Sequence, residues 1–535
     1  MKTDRDDPAD HATDVAATDK PPPEPPGRKR RSFQFPGAVT VLAIVTVLVW
    51  LAALLIPSGQ YSTAEDGSPI AGTYQQIDSP LSFGERVQQL ILSPINGVYG
   101  VQEAVDGFVD TDNLGQLFGS IGVVVFILAL GAFISVSFAT RSLEVAVSQL
   151  ATRMRKRGWL LIVVIMTLFS LLGSTMGFSV ETFGFYALLI PLITALGYDR
   201  MVAVGTILLS ALIGNMASTV NPFSIGVASG EAGVSIGDGI VLRVVLWVLL
   251  TGLAIGYVLR YARRVRLDPT RSLVTEDDTA RQAALAEPGE ALPDRLSRTQ
   301  RWVLAITGLT FGLLIFSVIP WSSLFGGSTG PAEDELTHET AAAPYWFELN
   351  WWFPQLAMLF FLAAVVVGIV ARMGEGRIIT LIQRGMADMI GPAIVIALAR
   401  GVAVIMTNTQ TLDTVLHYME RAVDGASSSG FAILVAVVNM PLAFLIPSSS
   451  GHATLAMPLL APLGDFAGVD RATVITAFQM GHGWMLLFAP TNAVVVGGLA
   501  IAGVGYNRFL RFIGPFLGVS FVLICVVLGV AAAVT

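Results

Sequence analysis

Gly37 to Ile56 is an uninterrupted apolar run of 20 residues, and no water-facing surface can be built from it. A helix of about 20 residues, at 1.5 Å each, matches the roughly 30 Å hydrocarbon core of a bilayer. Comparable runs follow at Leu117–Phe138, Met201 to about Gly230, Gly239–Leu259, Trp302–Trp321, Trp352–Ala371, Asp388–Thr407, Arg471 to about Ile501, and Arg511–Val534, which makes nine spans. Only 13% of the residues are charged, against about 25% in soluble domains. A soluble architecture is thereby excluded, and the expected class is an all-α polytopic membrane protein. The apolar core of a cleaved signal is shorter, about 7 to 15 residues, so residues 37–56 are read as the first span. With Cys525 as the one cysteine, neither a disulfide framework nor a cysteine-based metal site is available. The composition carries no nucleic-acid signal.

Charge placement sets the expected topology. Residues 1–36 are polar, rich in proline, and end in Arg28, Lys29, Arg30 and Arg31, which reads as a disordered cytoplasmic tail. The clusters Arg153–Arg157, Arg260–Arg266 and Arg372–Arg384 belong on the inner face by the positive-inside rule. The segment Ser322–Trp351, with Glu333, Asp334, Glu335, Glu339 and Glu348 and no Lys or Arg, belongs outside. Two apolar segments, Trp159–Leu172 and Phe431–Ile446, have 14 and 16 residues. These are too short for a comfortable crossing and are read as first arms of re-entrant hairpins. The expected layout is thus a tail (1–36), a first span with an external segment (37–116) and a first repeat (117–262) containing a hairpin at 159–198. A cytoplasmic linker (263–301), two scaffold helices with an acidic external loop (302–387) and a second repeat (388–535) with a hairpin at 430–470 complete it. The N-terminus falls inside and the C-terminus outside a bacterial cytoplasmic membrane.

The halves are related by sequence. Leu188–Arg200 matches Leu459–Arg471 at seven of thirteen positions without a gap. The offset of 271 residues that carries Pro191 onto Pro462 also carries Asn221 onto Asn492 and Gly226 onto Gly497. An amphipathic stretch precedes each hairpin: Leu143, Val147, Leu150 and Met154 in one unit, Leu412, Val415, Leu416 and Met419 in the other. The first should lie inside and its copy outside, so the repeat is inverted. Inverted repeats with broken helices at the bilayer midplane are the signature of a secondary transporter.

Four polar clusters interrupt the apolar sequence, and each must line a cavity or be buried in protein. They are Gly173–Thr182 (with Ser174, Thr175, Ser179, Glu181 and Thr182), Ser218–Phe223 (with Ser218, Thr219 and Asn221), Pro447–His452 (with Ser448, Ser449 and Ser450), and Ala489–Asn492 (with Thr491). Pro222 and Pro490 break their helices and free carbonyls that can coordinate a cation, giving candidate sodium positions near Asn221 and Asn492. Helix arms that start after the breaks favour an anionic group such as a carboxylate. Glu181 is the one carboxylate in either hairpin tip, a position where it should meet a cation, a proton or a substrate amine. His452 stands at the equivalent place, and His482 lies on the second broken span; both are candidates for a coupling proton. Asn215 and Asn439 are weaker candidates, because a membrane asparagine can simply bond a neighbouring helix.

At these residues the chain resembles the YfcC family, in the four-carbon dicarboxylate anaerobic carrier-like (DcuC-like) group of the ion transporter superfamily. The resemblance rests on I-P-S-G-Q-Y at Ile56–Tyr61, A-L-G-Y-D at Ala195–Asp199, S-T-V-N-P-F at Ser218–Phe223, the run from Ser448 to Asp465, A-F-Q-M-G-H-G at Ala477–Gly483 and A-P-T-N at Ala489–Asn492. It implies an elevator transporter, usually dimeric, that carries dicarboxylates or amino acids with sodium or a proton as coupling ion. It puts Ser218, Thr219, Asn221, Ser449, Ser450, Thr491 and Asn492 around the substrate. Two departures are visible: relatives commonly carry an acid where His482 stands, and a second acid or small residue where Ser179–Glu181 stands. The leading expectation is a cation-coupled carrier of a small carboxylate metabolite, not an enzyme and without a cofactor. Arginine/ornithine exchange is the alternative, with Glu181 pairing the substrate amine. A membrane-embedded hydrolase using Ser450 and His452 is remote, because residues two apart rarely align a base with a nucleophile. A channel suits two inverted gates less well than alternating access does.

Overall fold

The computed structural model describes residues 38–62, 69–79, 81–99, 121–154, 157–274, 295–325, 332–333, 340–341, 345–423 and 425–534. The tail at 1–36, the start of the first repeat at 117–120 and most of the linker lie outside the described residues. Residues 37–535 cluster as one unit. Helices dominate because lipid offers backbone groups no partners, and a helix satisfies its own. In chain order they are α1 (Ala38–Leu55), α2 (Phe83–Tyr99), α3 (Ile121–Phe138), α4 (Ser142–Met154), α5 (Gly158–Met176) and α6 (Phe183–Ala195). Next come α7 (Arg200–Met216), α8 (Val227–Ala232), α9 (Ile240–Leu267), α10 (Arg298–Val318), α11 (Trp321–Phe325) and α12 (Phe353–Val370). The remainder are α13 (Glu375–Asp388), α14 (Ile390–Asn408), α15 (Leu412–Val423), α16 (Ser428–Leu445), α17 (Ser449–Phe466), α18 (Arg471–Leu486), α19 (Ala493–Ala502) and α20 (Tyr506–Val534).

Eight helices among the described residues are long and apolar enough to cross a membrane, so the chain is an all-α, multi-pass membrane protein. Six of them fall on expected spans. The spans expected at 201–230 and 471–501 are each broken in two, α7 with α8 and α18 with α19. The other two long helices are the hairpin arms α5 and α16, of 19 and 18 residues where 14 and 16 had been expected. Hydropathy ends the arms too early because their polar ends remain helical. Thr175 returns its hydroxyl to Leu171 O at 2.8 Å, Ser174 bonds Ala217 O at 2.9 Å, and Ser427 caps α16 by accepting from Gly430 N at 3.1 Å. Valines 241, 244, 245 and 248 on α9, and 519, 522, 526 and 530 on α20, form exposed apolar stripes at helical spacing, surfaces suited to hydrocarbon.

The offset of 271 residues recurs in the elements. Hairpin α5–α6 corresponds to α16–α17, broken helix α7/α8 to α18/α19, and α9 to α20. Each hairpin ends at a glycine in the left-handed region, Gly197 (φ 82°) and Gly468 (φ 63°), followed by an aspartate cap. Asp199 accepts from Val202 N at 2.9 Å, and Asp470 accepts from Ala472 N at 3.1 Å.

Two helices were not expected: α2, within the segment read as external, and α13, within the region read as two scaffold helices. Both are amphipathic, with too few apolar residues for a hydropathy run. Each packs by backbone approach at glycine, α13 on α3 through Gly385 and Gly131, and α2 on α14 through Gly97 and Gly401. A Cβ on Gly401 would sit 2.6 Å from Ser93 O, a contact that demands separation of the helices. Gly401→Leu is therefore expected to cost at least about 1–3 kcal/mol, read as a lower melting temperature of the purified protein in detergent, whereas Gly391→Ala, which meets nothing, stays at the wild-type value.

Candidate functional site

Break one and tip one are tied together. After α7 ends at Met216, residues 217–221 run without helix into a wide turn at Pro222–Gly226 that leads into α8. The Ser174 backbone carbonyl accepts from Thr219 N at 3.0 Å, and its hydroxyl also lies 3.0 Å from that amide. Thus tip residues fill the hydrogen-bonding positions that a continuing helix would have filled. Asn221 caps the following turn through Oδ1, which accepts from Phe223 N at 3.0 Å, while its Nδ2 donates to Asn215 Oδ1 at 3.1 Å and Ser218 Oγ at 3.2 Å. Asn215 Nδ2 in turn donates to Phe178 O of the tip at 3.0 Å.

Break two repeats the scheme with different partners. Asn492 caps α19 through Oδ1, accepting from Val494 N at 3.0 Å, and donates Nδ2 to Leu486 O at 2.8 Å. Ser448 caps α17 by accepting from Gly451 N at 3.3 Å, and Ser449 Oγ reaches across to Phe223 O at 3.4 Å. Tip two therefore touches break one, and residues more than two hundred positions apart meet.

All four clusters converge on one cavity of about 150 Å³, lined by Ser179, Asn215, Asn221, Pro447, Ser449, Gln479, His482 and Asn492 with Leu212, Met216, Gly483, Leu486 and Val494. No lysine, arginine, aspartate or glutamate is among these residues. Gln479 was not singled out from the sequence. It donates Nε2 to Asn215 O at 2.7 Å and leaves Oε1 buried without a partner; its place three residues before His482, one helical turn away, was the available signal.

A family model described as C4-dicarboxylate anaerobic carrier, DcuC, matches residues 35–533. The chain belongs to the DcuC family. It is a membrane transporter of that class. A curated relative from Haemophilus influenzae, described only as an uncharacterized protein, is 29% identical over 92% of this chain and 96% of its own. The putative basic amino acid antiporter YfcC of Escherichia coli is 26% identical over 93% of this chain and 96% of its own. Among solved structures, the Alcanivorax borkumensis YdaH transporter superposes with a TM-score of 0.65 at 16% identity, covering 92% of this chain and 98% of that one. MtrF of Neisseria gonorrhoeae, described with a class of antimetabolite efflux pumps, gives 0.63 at 14% identity, covering 93% and 95%.

Several expected residues of this DcuC-family carrier stand off the cavity. Glu181 is half-buried and turns back on its own tip, its carboxylate accepting from Ser179 N at 3.0 Å. Thr182 donates to Ser179 O at 2.5 Å. Ser174, Thr175, Ser218 and Thr219 are buried and do not line the cavity, and Ser448 and Ser450 pair with each other at 3.4 Å. Thr491 has a buried hydroxyl without a partner. Asn439 bonds within its own helix, to Val435 O at 2.7 Å. His452 does not meet Ser450; its Nδ1 lies 2.8 Å from His482 Nδ1, so the nucleophile–base pair imagined for a hydrolase is not assembled.

A second cavity, of about 170 Å³, holds a buried ion pair that the sequence reading missed: Glu231 of α8 with Arg400 of α14, flanked by Trp352 and Phe353. Their side chains are 5% and 21% exposed, respectively. Removing one partner of such a pair strands the other charge, at about 3–5 kcal/mol, whereas replacing both with neutral groups is close to cost-free. Arg400→Met should therefore lower the melting temperature sharply, and adding Glu231→Gln should restore most of the loss. Equal destabilisation by single and double variants would contradict the pairing.

Proposed function

We propose that this DcuC-family protein is a secondary active transporter that moves a small carboxylate-bearing metabolite, a dicarboxylate or an amino acid, across the bacterial cytoplasmic membrane with a coupling cation. The observation that carries the reading is the single cavity where both hairpin tips and both capped breaks meet without a permanently charged side chain. Asparagine and glutamine amides, a serine hydroxyl and helix starts suit a carboxylate, which neutral donors hold without the cost of an empty buried charge. The paired breaks, each carrying half of the walls, suit alternating access in which a hairpin-bearing body slides against the remaining helices as an elevator. A homodimer with the N-terminus inside and the C-terminus outside completes the proposal, the orientation resting on the arginine clusters.

Exchange of basic amino acids, such as arginine for ornithine, is the second reading, favoured by the name of the E. coli relative. Against it, a basic side chain calls for a carboxylate, and none lines the cavity among the described residues. Counterflow in proteoliposomes preloaded with succinate, fumarate, aspartate, arginine or ornithine, with and without sodium, separates the two. Exchange of the dicarboxylates supports the first reading, arginine–ornithine exchange alone supports the second, and no exchange of any of them rejects both. Because a hydrogen bond to a charged group is worth about 1.5–3 kcal/mol, Ser449→Ala should raise the half-saturating concentration of the transported compound by about tenfold or more.

A further inference from the structure

The imidazoles of His452 on α17 and His482 on α18 face one another through their Nδ1 atoms at 2.8 Å. Both rings are buried, and both Nε2 atoms are buried without a hydrogen-bond partner. Only one hydrogen fits between two nitrogens at that distance, so one ring donates Nδ1–H and the other accepts. The neutral pair then presents one Nε2–H and one bare Nε2. A single added proton enters at the bare Nε2, and the imidazolium so formed keeps its Nδ1–H bond to the neutral neighbour. A second proton would set N–H against N–H. The geometry thus defines a site for one proton.

Among the described residues, the charged groups on the elements around the pair are engaged with other partners. On α17, Asp465 pairs with Arg471 at 2.6 Å. From α8 and α14, Glu231 and Arg400 hold each other. Arg243 of α9 donates to Ile236 O and Asp238 O at 2.6 Å. On α15, Asp413 accepts from Tyr61 N at 2.9 Å and Glu420 from Tyr61 Oη at 2.5 Å. Glu181 of the first tip accepts from Ser179 N. The ring that reaches the cavity is His482, beside Asn215, Asn492 and Ser449. An empty site therefore disfavours the imidazolium, since a buried charge lacks compensation. A carboxylate entering the cavity supplies the missing opposite charge and favours it. By linkage, the proton strengthens carboxylate binding by the same factor.

We propose that the His452–His482 pair is the coupling site, taking up one proton together with one carboxylate substrate and releasing both on the other side. This rests on the transporter reading above. The test uses the full chain in proteoliposomes loaded with a pH-sensitive dye, given the same five compounds, with radiolabelled uptake measured in parallel. The expected result is about one proton entering per carboxylate for wild type, and a proton-to-substrate ratio at least tenfold lower for His452→Gln and His482→Gln. An unchanged ratio in either variant overturns the proposal while leaving the transporter reading intact; absence of uptake of every compound overturns both. Should the variants fail to fold or transport, solid-state NMR of wild type carrying ¹⁵N-labelled histidine decides. An Nδ1–H···Nδ1 pair in which one ring becomes imidazolium when the transported compound is added at pH 6.5 supports the proposal, and two rings that stay neutral down to pH 5.5 with that compound present overturn it.

Discussion

The structure depends on one constraint: a backbone group freed inside the bilayer must find a partner within the protein. Two helices break at depth, after Met216 and after Leu486, and each break is closed by an asparagine that caps the next helix. In the first half, closure is shared with the hairpin, where Ser174 reaches both Ala217 O and Thr219 N. The first hairpin is therefore a structural complement of the first break, and Ser449 of the second tip reaches Phe223 O of that same break. The cavity is the space left between the two tips and the two breaks.

That logic explains what the sequence made legible. Apolar runs mark the spans because lipid selects for them at every position, and the repeat survives at residues whose backbone geometry is demanding. Gly197 and Gly468 have positive φ, Asp199 and Asp470 cap α7 and α18, and Asn221 and Asn492 cap the breaks. Features set by tertiary contact were hidden. The helix α13 is amphipathic, and its place is decided by Gly385 meeting Gly131. The pair Glu231–Arg400 joins residues 169 apart in sequence, and no local pattern announces it. Glu181 shows a different limit: a carboxylate in an apolar context reads as a ligand, and only the folded tip shows that it also accepts from Ser179 N of its own tip.

The halves share a frame but not their chemistry. Under the 271-residue offset Glu181 stands where His452 stands, and the two have taken different duties. The first tip closes on itself through its glutamate, whereas the second sends its histidine inward to another helix. Similarly, Asn215 corresponds to Leu486, an apolar residue of the same cavity, and in the second half Gln479 and His482 supply the polar wall. A symmetric frame gives two matched hairpin-and-break units; the asymmetric side chains give the one cavity between them its polar wall.

A carrier must hold its cargo firmly enough to select it and loosely enough to let it go. An arginine in the cavity would bind a carboxylate strongly and would leave a costly unpaired charge whenever the site emptied. Here the buried arginines are kept elsewhere, Arg400 with Glu231 and Arg243 with two backbone carbonyls. The cavity itself keeps only neutral polar groups, apolar side chains and one edge of a histidine pair. Such a site has no permanently charged side chain when empty and, in the proposed cycle, gains a proton only with the carboxylate that compensates it. In the proposed cycle that proton cancels one unit of the substrate's negative charge, which lowers the electrostatic barrier to moving the loaded site through the low-dielectric region between the two faces of the membrane.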